Sequence, residues 1–102
     1  METFSYRILG DYGSHEITSV ELAAELRREG RLGTNELLDR EGLRCLLGVM
    51  VDYRGRDGPC RIFSTGWTGR MRALGLDPPA NDGFVGTPEE RCEHFAKLLE
   101  AL

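Results

Sequence analysis

The sequence lacks long apolar runs, and its 13 basic residues include a single lysine. The longest apolar stretch, Leu46 to Val51, is far shorter than the roughly 20 residues that a membrane-spanning helix needs. The first residues contain neither the basic nor the apolar segment of a signal peptide. We therefore expect a cytoplasmic protein with no membrane segment.

Paired cysteines are also lacking. Cys45, Cys60 and Cys92 are odd in number and show no Cys-x-x-Cys spacing, which argues against a disulfide framework or a zinc ribbon. Cys92 and His94 lie two positions apart in a predicted helix, about 200° around its axis, so they cannot bind one metal ion together. We expect reduced cysteines, no metal site and no cofactor.

The composition is that of one globular domain spanning residues 1–102. Apolar residues make up 40 % of the chain and charged residues 29 %, with 17 acidic and 13 basic side chains and a formal net charge of −4. The 13 glycines predict many short elements joined by tight turns.

Local signals predict elements at both ends of the chain. Phe4, Tyr6 and Ile8 alternate with polar residues, which predicts a strand within residues 2–12 that ends at Gly10. A capping box of Thr18 and Glu21 predicts the start of a helix that ends at Gly30.

The last helix carries the same kind of signal. Thr87 and Glu90 form a capping box around Pro88, and the apolar spacing continues to Leu102. Upstream, the two consecutive prolines of Asp77-Pro78-Pro79 predict a non-helical segment. Asn81-Asp82-Gly83 predicts a turn in which glycine takes a positive φ.

The middle of the chain is less clearly patterned. Residues 41–53 are apolar around a whole helical wheel, which fits a buried helix or a buried strand, and we favour the helix. Gly48 inside it predicts a closely packed backbone. A turn over 54–59, a strand over 60–64 and a helix over 67–74 follow; the strand pairs either with the residues before the turn or with the N-terminal strand.

These elements predict an α+β fold: a small, mainly α single domain with two or three short strands. We expect the core to form where Leu43–Val51 packs against helices over Thr18–Glu29 and Pro88–Leu102.

Two motifs resemble those of a known group. Cys45-Leu46-Leu47-Gly48-Val49-Met50-Val51-Asp52 resembles the Cys-Cys-Leu-Gly-Val-Leu-Cys-Asp run of short phage and prophage proteins of unknown function. In those proteins an Asn-Asp-Gly turn and a final helix follow, as Asn81-Asp82-Gly83 and Phe95–Glu100 do here. The resemblance covers roughly residues 33–102 and implies a phage or bacterial origin rather than an activity. Leu46 and Val51 replace two of the group's cysteines, which favours Cys45 as a buried apolar residue.

Charge is unevenly distributed along the chain. Residues 11–52 contain nine acidic and five basic side chains, whereas residues 54–72 contain five arginines and one aspartate. The acidic part includes a helical stripe, and the basic part contains a tryptophan, a composition typical of interfaces. Plain solvation is the simpler explanation of both surfaces, and a binding role is the alternative. As partner-binding candidates we select Glu21, Glu25, Glu29, Arg54, Arg56, Arg61, Trp67, Arg70 and Arg72.

The leading hypothesis is a non-enzymatic interaction protein that binds and modulates a host protein complex, with counter-defence against bacterial immunity as one version. The negative net charge argues against nucleic acid as a partner. One alternative is a cysteine hydrolase with Cys45 as nucleophile, His15 or His94 as base and Asn81 as orienting group. Another is a nucleotide-binding protein in which Trp67, Arg70 and Asn81 line a pocket, with Asp82 as a further ligand contact.

Overall fold

The computed structural model describes residues 1–102 and contains one antiparallel sheet. Its strands are β1 (Thr3–Ile8), β2 (His15–Thr18) and β3 (Arg61–Phe63), in the order β2-β1-β3. The strands predicted within residues 2–12 and 60–64 are confirmed, and β3 pairs with β1. The sequence did not indicate β2, because four residues with one buried apolar side chain give too short an alternation to recognise.

Helices account for more of the chain than strands do, which confirms the mainly α, α+β prediction. The helices are α1 (Ser19–Glu29), α2 (Leu46–Met50), α3 (Trp67–Ala73), α4 (Pro78–Gly83) and α5 (Pro88–Glu100), with a 3₁₀ turn at Gly55–Asp57. None of them combines the length and the apolar character needed to cross a membrane.

The two long helices begin where their capping boxes predict. Thr18 accepts a hydrogen bond from the backbone N–H of Glu21, whose carboxylate accepts one from the Thr18 N–H. Thr87 and Glu90 make the same reciprocal pair at α5. Gly30 ends α1 with φ of 78°, a left-handed conformation that disfavours side chains.

Two predictions around the double proline are wrong. Residues 78–83 form α4, so Asp77-Pro78-Pro79 opens a helix, and Asn81-Asp82-Gly83 is helical rather than a turn. The prolines occupy the first turn, where the backbone N–H groups need no intrahelical acceptor. Asp77, before them, keeps the extended conformation (φ −85°, ψ 167°) that a following proline demands.

The apolar middle segment is a helix only in part. The helix predicted for residues 41–53 is reduced to α2, and Cys45 before it is extended, with ψ of 176°. The predicted close approach at Gly48 is confirmed: a Cβ placed there would lie 2.3 Å from the carbonyl oxygen of Leu37. That carbonyl fixes α2 against the preceding loop.

The core forms chiefly between α1 and α5, and α2 packs against α1 and α4. The predicted packing of residues 43–51 against the first long helix is confirmed, whereas α5, the second, packs mainly against α1 rather than against that segment. Strands β1 and β2 add one buried side chain each, so one face of the sheet covers the core. The buried apolar residues include Phe4, Ile17, Leu22, Leu26, Leu46, Val49, Met50, Phe95 and Leu99.

Candidate interaction surfaces

The acidic stripe of α1 is paired within the molecule. The guanidinium of Arg61 donates hydrogen bonds of 2.8 and 2.6 Å to the two carboxylate oxygens of Glu25. It also donates to the carbonyl oxygen of Met50 at 3.2 Å. Only 13 % of the Arg61 side chain is exposed, so the pair is largely shielded from solvent. Two residues predicted to lie on separate contact surfaces therefore bind each other.

A second arginine pairs with the end of the stripe. Arg44 binds both carboxylate oxygens of Glu29, at 2.9 and 2.7 Å, and reaches Asp52 at 3.1 Å. Asp52 also accepts a 2.8 Å hydrogen bond from Arg54. Burial raises the pKa of Asp52, but hydrogen bonds from Arg54 and Arg44 outweigh that effect and lower it overall. These four side chains form one network. It connects α1, the residues on either side of α2 and the 54–59 loop.

Glu21, the remaining member of the stripe, is exposed and serves as the capping residue of α1. The expectation that Glu21, Glu25 and Glu29 form a free binding face is therefore corrected: each carboxylate has an intramolecular partner. The acidic spacing predicted from the sequence is present, but Glu25 and Glu29 attach α1 to β3 and to the segment that precedes α2.

The predicted basic surface is divided by the fold. Arg70 pairs with Glu2, donates to the carbonyl oxygen of Thr3 at 3.0 Å and lies 4.4 Å from the ring centre of Phe4. Trp67 is half-buried and stacks on Phe63, with ring centres 4.3 Å apart. Its indole N–H is buried without a hydrogen-bond partner. Trp67 therefore contributes to packing, whereas Arg70 is exposed but held by partners within the chain.

Two of the predicted arginines remain exposed and lack a carboxylate partner. Arg56 lies in the 3₁₀ turn, and Arg72 lies on α3. Arg54 is 64 % exposed but is held by Asp52. The structure therefore does not gather the selected arginines into one patch.

Asn81 and Asp82, selected as ligand contacts, belong to one polar network, in which Asn81 is buried and Asp82 is exposed. Asn81 accepts a 3.2 Å hydrogen bond from the Leu46 N–H and donates to the carbonyl oxygen of Gly33 at 3.0 Å. Asp82 accepts from the side chain of Asn81 and from the backbone N–H of Asn35, at 2.9 and 3.0 Å. Both residues therefore connect backbone segments, and Asn81 has no free group to orient a histidine or a ligand.

Arg91 extends this network and was not selected from the sequence. Its guanidinium is buried on α5 and donates to the carbonyl oxygens of Leu32, Asn81 and Phe84, at 2.9, 3.2 and 3.4 Å. The sequence did contain an indication that Arg91 is buried, because Arg91 lies four positions before Phe95 and hence on the apolar face of its helix. A charged residue on that face requires buried acceptors, which here are three carbonyl oxygens, one from the loop after α1 and two from α4 and the residue that ends it.

The environment of Cys45 is that of a structural thiol. Its Sγ is 3.4 Å from the backbone N–H of Gly48 and caps α2, and burial raises the thiol pKa. Neither histidine is hydrogen-bonded to it: His15 pairs with Asp11 at 3.2 Å, and His94 packs against Phe84. A catalytic cysteine requires the opposite, a thiol pKa lowered by a neighbouring base.

An exposed apolar surface lies at one end of the sheet, at residues that the sequence did not single out. Ile8, Leu9, Tyr12 and Ile62 are all exposed and line one shallow depression of about 290 Å³. Tyr12 is 99 % exposed and Leu9 is 61 % exposed. We call these four residues the hairpin-end surface, because the β1–β2 connection carries Leu9 and Tyr12. The signal in the sequence was Leu9 and Tyr12 themselves, two large apolar residues in a glycine-containing turn.

The basic loop lies at the same end of the sheet. β3 runs antiparallel to β1, so the residues before β3 lie next to the residues after β1. The Leu9 N–H donates a 3.1 Å hydrogen bond to the carbonyl oxygen of Cys60, which fixes this neighbourhood. The 54–59 loop, with Arg56, therefore lies on the same side of the molecule as the hairpin-end surface.

No protein-family model, curated protein or solved structure matches this chain. The resemblance of its motifs to phage and prophage proteins stays a prediction.

Proposed function

We propose that this chain is a non-enzymatic interaction protein that binds another protein through the hairpin-end surface. The observation that carries the proposal is the grouping of four exposed apolar side chains around one depression. Single exposed apolar residues, such as Val85, are common on protein surfaces, whereas contiguous ones mark contact sites. Tyrosine is also among the residues that contribute most to binding energy at interfaces.

The charges around this surface favour an acidic partner. Arg7 lines the depression, and Arg56 lies in the adjoining loop; neither has a carboxylate partner within the chain. Asp11, the acidic residue of the depression, is already bound to the Gly13 N–H and to His15. Asp57 is the remaining free carboxylate in the adjoining loop. A partner with apolar side chains flanked by carboxylates is complementary to this arrangement.

The motif resemblance supports a phage or prophage origin, and the partner we propose is accordingly a host protein complex in the bacterial cytoplasm. Counter-defence against a bacterial immune system is the specific version of this proposal. The buried, histidine-free environment of Cys45 supports a non-enzymatic role over a cysteine hydrolase.

The test uses the tagged chain in a bacterial lysate, followed by mass spectrometry and by binding measurements with the purified partner. The double variant Leu9→Ser/Tyr12→Ser removes the two most exposed anchors, and Val85→Ser is the control because Val85 is 94 % exposed elsewhere. We expect the wild type and the control to retain the same partner and the double variant to lose it. Retention by all three chains would overturn the proposal. Light scattering that shows a dimer of the chain alone, dissociated by the double variant, would instead assign this surface to self-association.

A further inference from the structure

A second depression lies on the outer face of the sheet, beside the hairpin-end surface. It has a volume of about 470 Å³, within the range of small-ligand sites. Most of its lining is made of hydroxyl side chains and a single arginine. The lining residues are Ser5, Tyr6, Arg7, Ser14, Ile62, Phe63, Ser64 and Thr65.

Strand geometry fixes the position of these groups. Side chains alternate along β1, so Phe4 faces the core while Ser5 and Arg7 face outward. β1 is the central strand, and Arg7 lies directly opposite Ile62 of β3. The Ser64 N–H donates a 3.1 Å hydrogen bond to the carbonyl oxygen of Ser5, which extends the pairing beyond β3. The arginine and two of the hydroxyls are thus carried by paired backbone.

The charge of this depression is uncompensated. Arg7 is its only charged lining residue and forms no ion pair within the chain. By contrast, the depression around Arg44 and Arg61 also contains their carboxylate partners. Glu16, which lies opposite Ser5 on the same face of the sheet, is outside the lining. An anion entering the cup of hydroxyls therefore meets a guanidinium without having to displace a carboxylate.

We propose that this cup binds a phosphoryl group. The four serine and threonine hydroxyls and the five N–H groups of the guanidinium supply more donors than the two oxygens of a carboxylate can use, whereas the three terminal oxygens of a phosphoryl group match them better. Ile62, which lies opposite Arg7, provides an apolar wall for the group that carries the phosphate. Three ligands carry such a group and are compared in the experiment below: free phosphate, a phosphorylated serine and a nucleoside monophosphate. The inference stands independently of the proposed protein partner.

The test is a titration of the ¹⁵N-labelled chain, followed by NMR, with inorganic phosphate, phosphoserine, a nucleoside monophosphate and acetate. Ionic strength is held constant, because screening alone shifts surface signals. We expect saturable shifts of the amides of Ser5, Arg7, Ser14, Ser64 and Thr65 with phosphoryl compounds, and at least tenfold weaker binding of acetate. The tightest of the three phosphoryl compounds identifies the source.

Two arginine variants provide the decisive comparison. Arg7→Gln should weaken phosphoryl binding at least tenfold, whereas Arg72→Gln, an exposed arginine on α3 without a carboxylate partner, should leave it unchanged. Both positions are exposed, so both variants should fold, which circular dichroism would verify. Equal binding by the two variants, shifts that do not saturate, or binding of acetate as tight as that of phosphate would overturn the proposal.

Discussion

Arg61 of β3 binds Glu25 of α1 through two hydrogen bonds, although the two residues are 36 positions apart in the sequence. With the Glu29–Arg44–Asp52–Arg54 network, this pair joins the acidic segment of the chain to the basic one. Two of the five arginines of the basic segment, Arg54 and Arg61, are therefore paired with carboxylates of the acidic segment. The binding surface that we propose is instead the mainly apolar one at the end of the sheet.

Removing one charge of the pair should lower the free energy of unfolding. We expect Glu25→Gln to cost about 2 kcal/mol, because it leaves the shielded guanidinium of Arg61 without its counter-charge. Urea unfolding would measure this loss, with Glu36→Gln as the control, since Glu36 is exposed and unpaired. Equal stability of the two variants would contradict the structural role of the pair.

Stability should also fall in acid. The pKa of Asp52 is lowered because its arginine hydrogen bonds outweigh the effect of burial, and the pKa of Glu100 is lowered by its hydrogen bonds with Arg27. A carboxyl group whose pKa is lower in the folded than in the unfolded state stabilises the fold above its ordinary pKa of about 4. That contribution is lost as the pH falls through the lowered value.

The measurement is urea unfolding between about pH 3 and pH 7. Wild-type stability should be nearly constant above about pH 5 and should decline below about pH 4. Asp52→Asn should be less stable at neutral pH and should show a shallower decline in acid. A variant curve that runs parallel to the wild type at every pH would show that Asp52 contributes nothing to the acid sensitivity.

Two glycines should respond in opposite ways to alanine. At Gly48 the added Cβ would meet the Leu37 carbonyl oxygen at 2.3 Å, so backbone must move, and we expect a loss of about 2 kcal/mol or more. At Gly69, within α3, the Cβ meets no atom within 4 Å, and alanine should stabilise the helix by about 0.5–1 kcal/mol. The melting temperatures of Gly48→Ala and Gly69→Ala test both expectations. If Gly48→Ala melts at or above the wild-type temperature, the backbone at Gly48 does not lie as close to the Leu37 carbonyl oxygen as described.

The cysteines should differ in reactivity. Cys45 and Cys92 are buried, and burial raises the pKa of both thiols, whereas Cys60 is partly exposed. Iodoacetamide should therefore modify Cys60 first, and Cys45 only after denaturation. Mass spectrometry of the native protein at successive times after adding iodoacetamide would measure the order in which the cysteines are modified. Modification of native Cys45 ahead of Cys60 would instead favour the cysteine-hydrolase alternative.

The sequence predicted the features that depend on neighbouring residues. Thr18 with Glu21 and Thr87 with Glu90 placed both long helices, because a capping box is complete within four residues. The double proline misled because local rules allow it either to end a helix or to begin one. Here the prolines begin a helix, and tertiary contacts hold that helix in place. Asn81 of α4 forms buried hydrogen bonds with Leu46 and Gly33, which are distant in the sequence.

The candidate surfaces were harder to predict for the same reason. Glu25 and Glu29 fall on one helix face by spacing alone, but their arginine partners are supplied by tertiary structure. Leu9 and Tyr12 become part of a surface only when antiparallel pairing brings Ile62 of β3 opposite Arg7 of β1. Spacing along one element reveals a face of that element, whereas whether the face is open or covered depends on residues far away in the sequence.

The most direct test of the proposed function is the dissociation constant between the purified chain and its captured partner, measured for three variants. The hairpin-end variant Leu9→Ser/Tyr12→Ser should bind at least roughly tenfold more weakly, as expected when two anchors are removed. Glu21→Gln, on the acidic face of α1, and Val85→Ser should bind like the wild type. Full affinity of the hairpin-end variant, or loss of affinity in Glu21→Gln alone, would contradict the assignment of the binding surface to the end of the sheet.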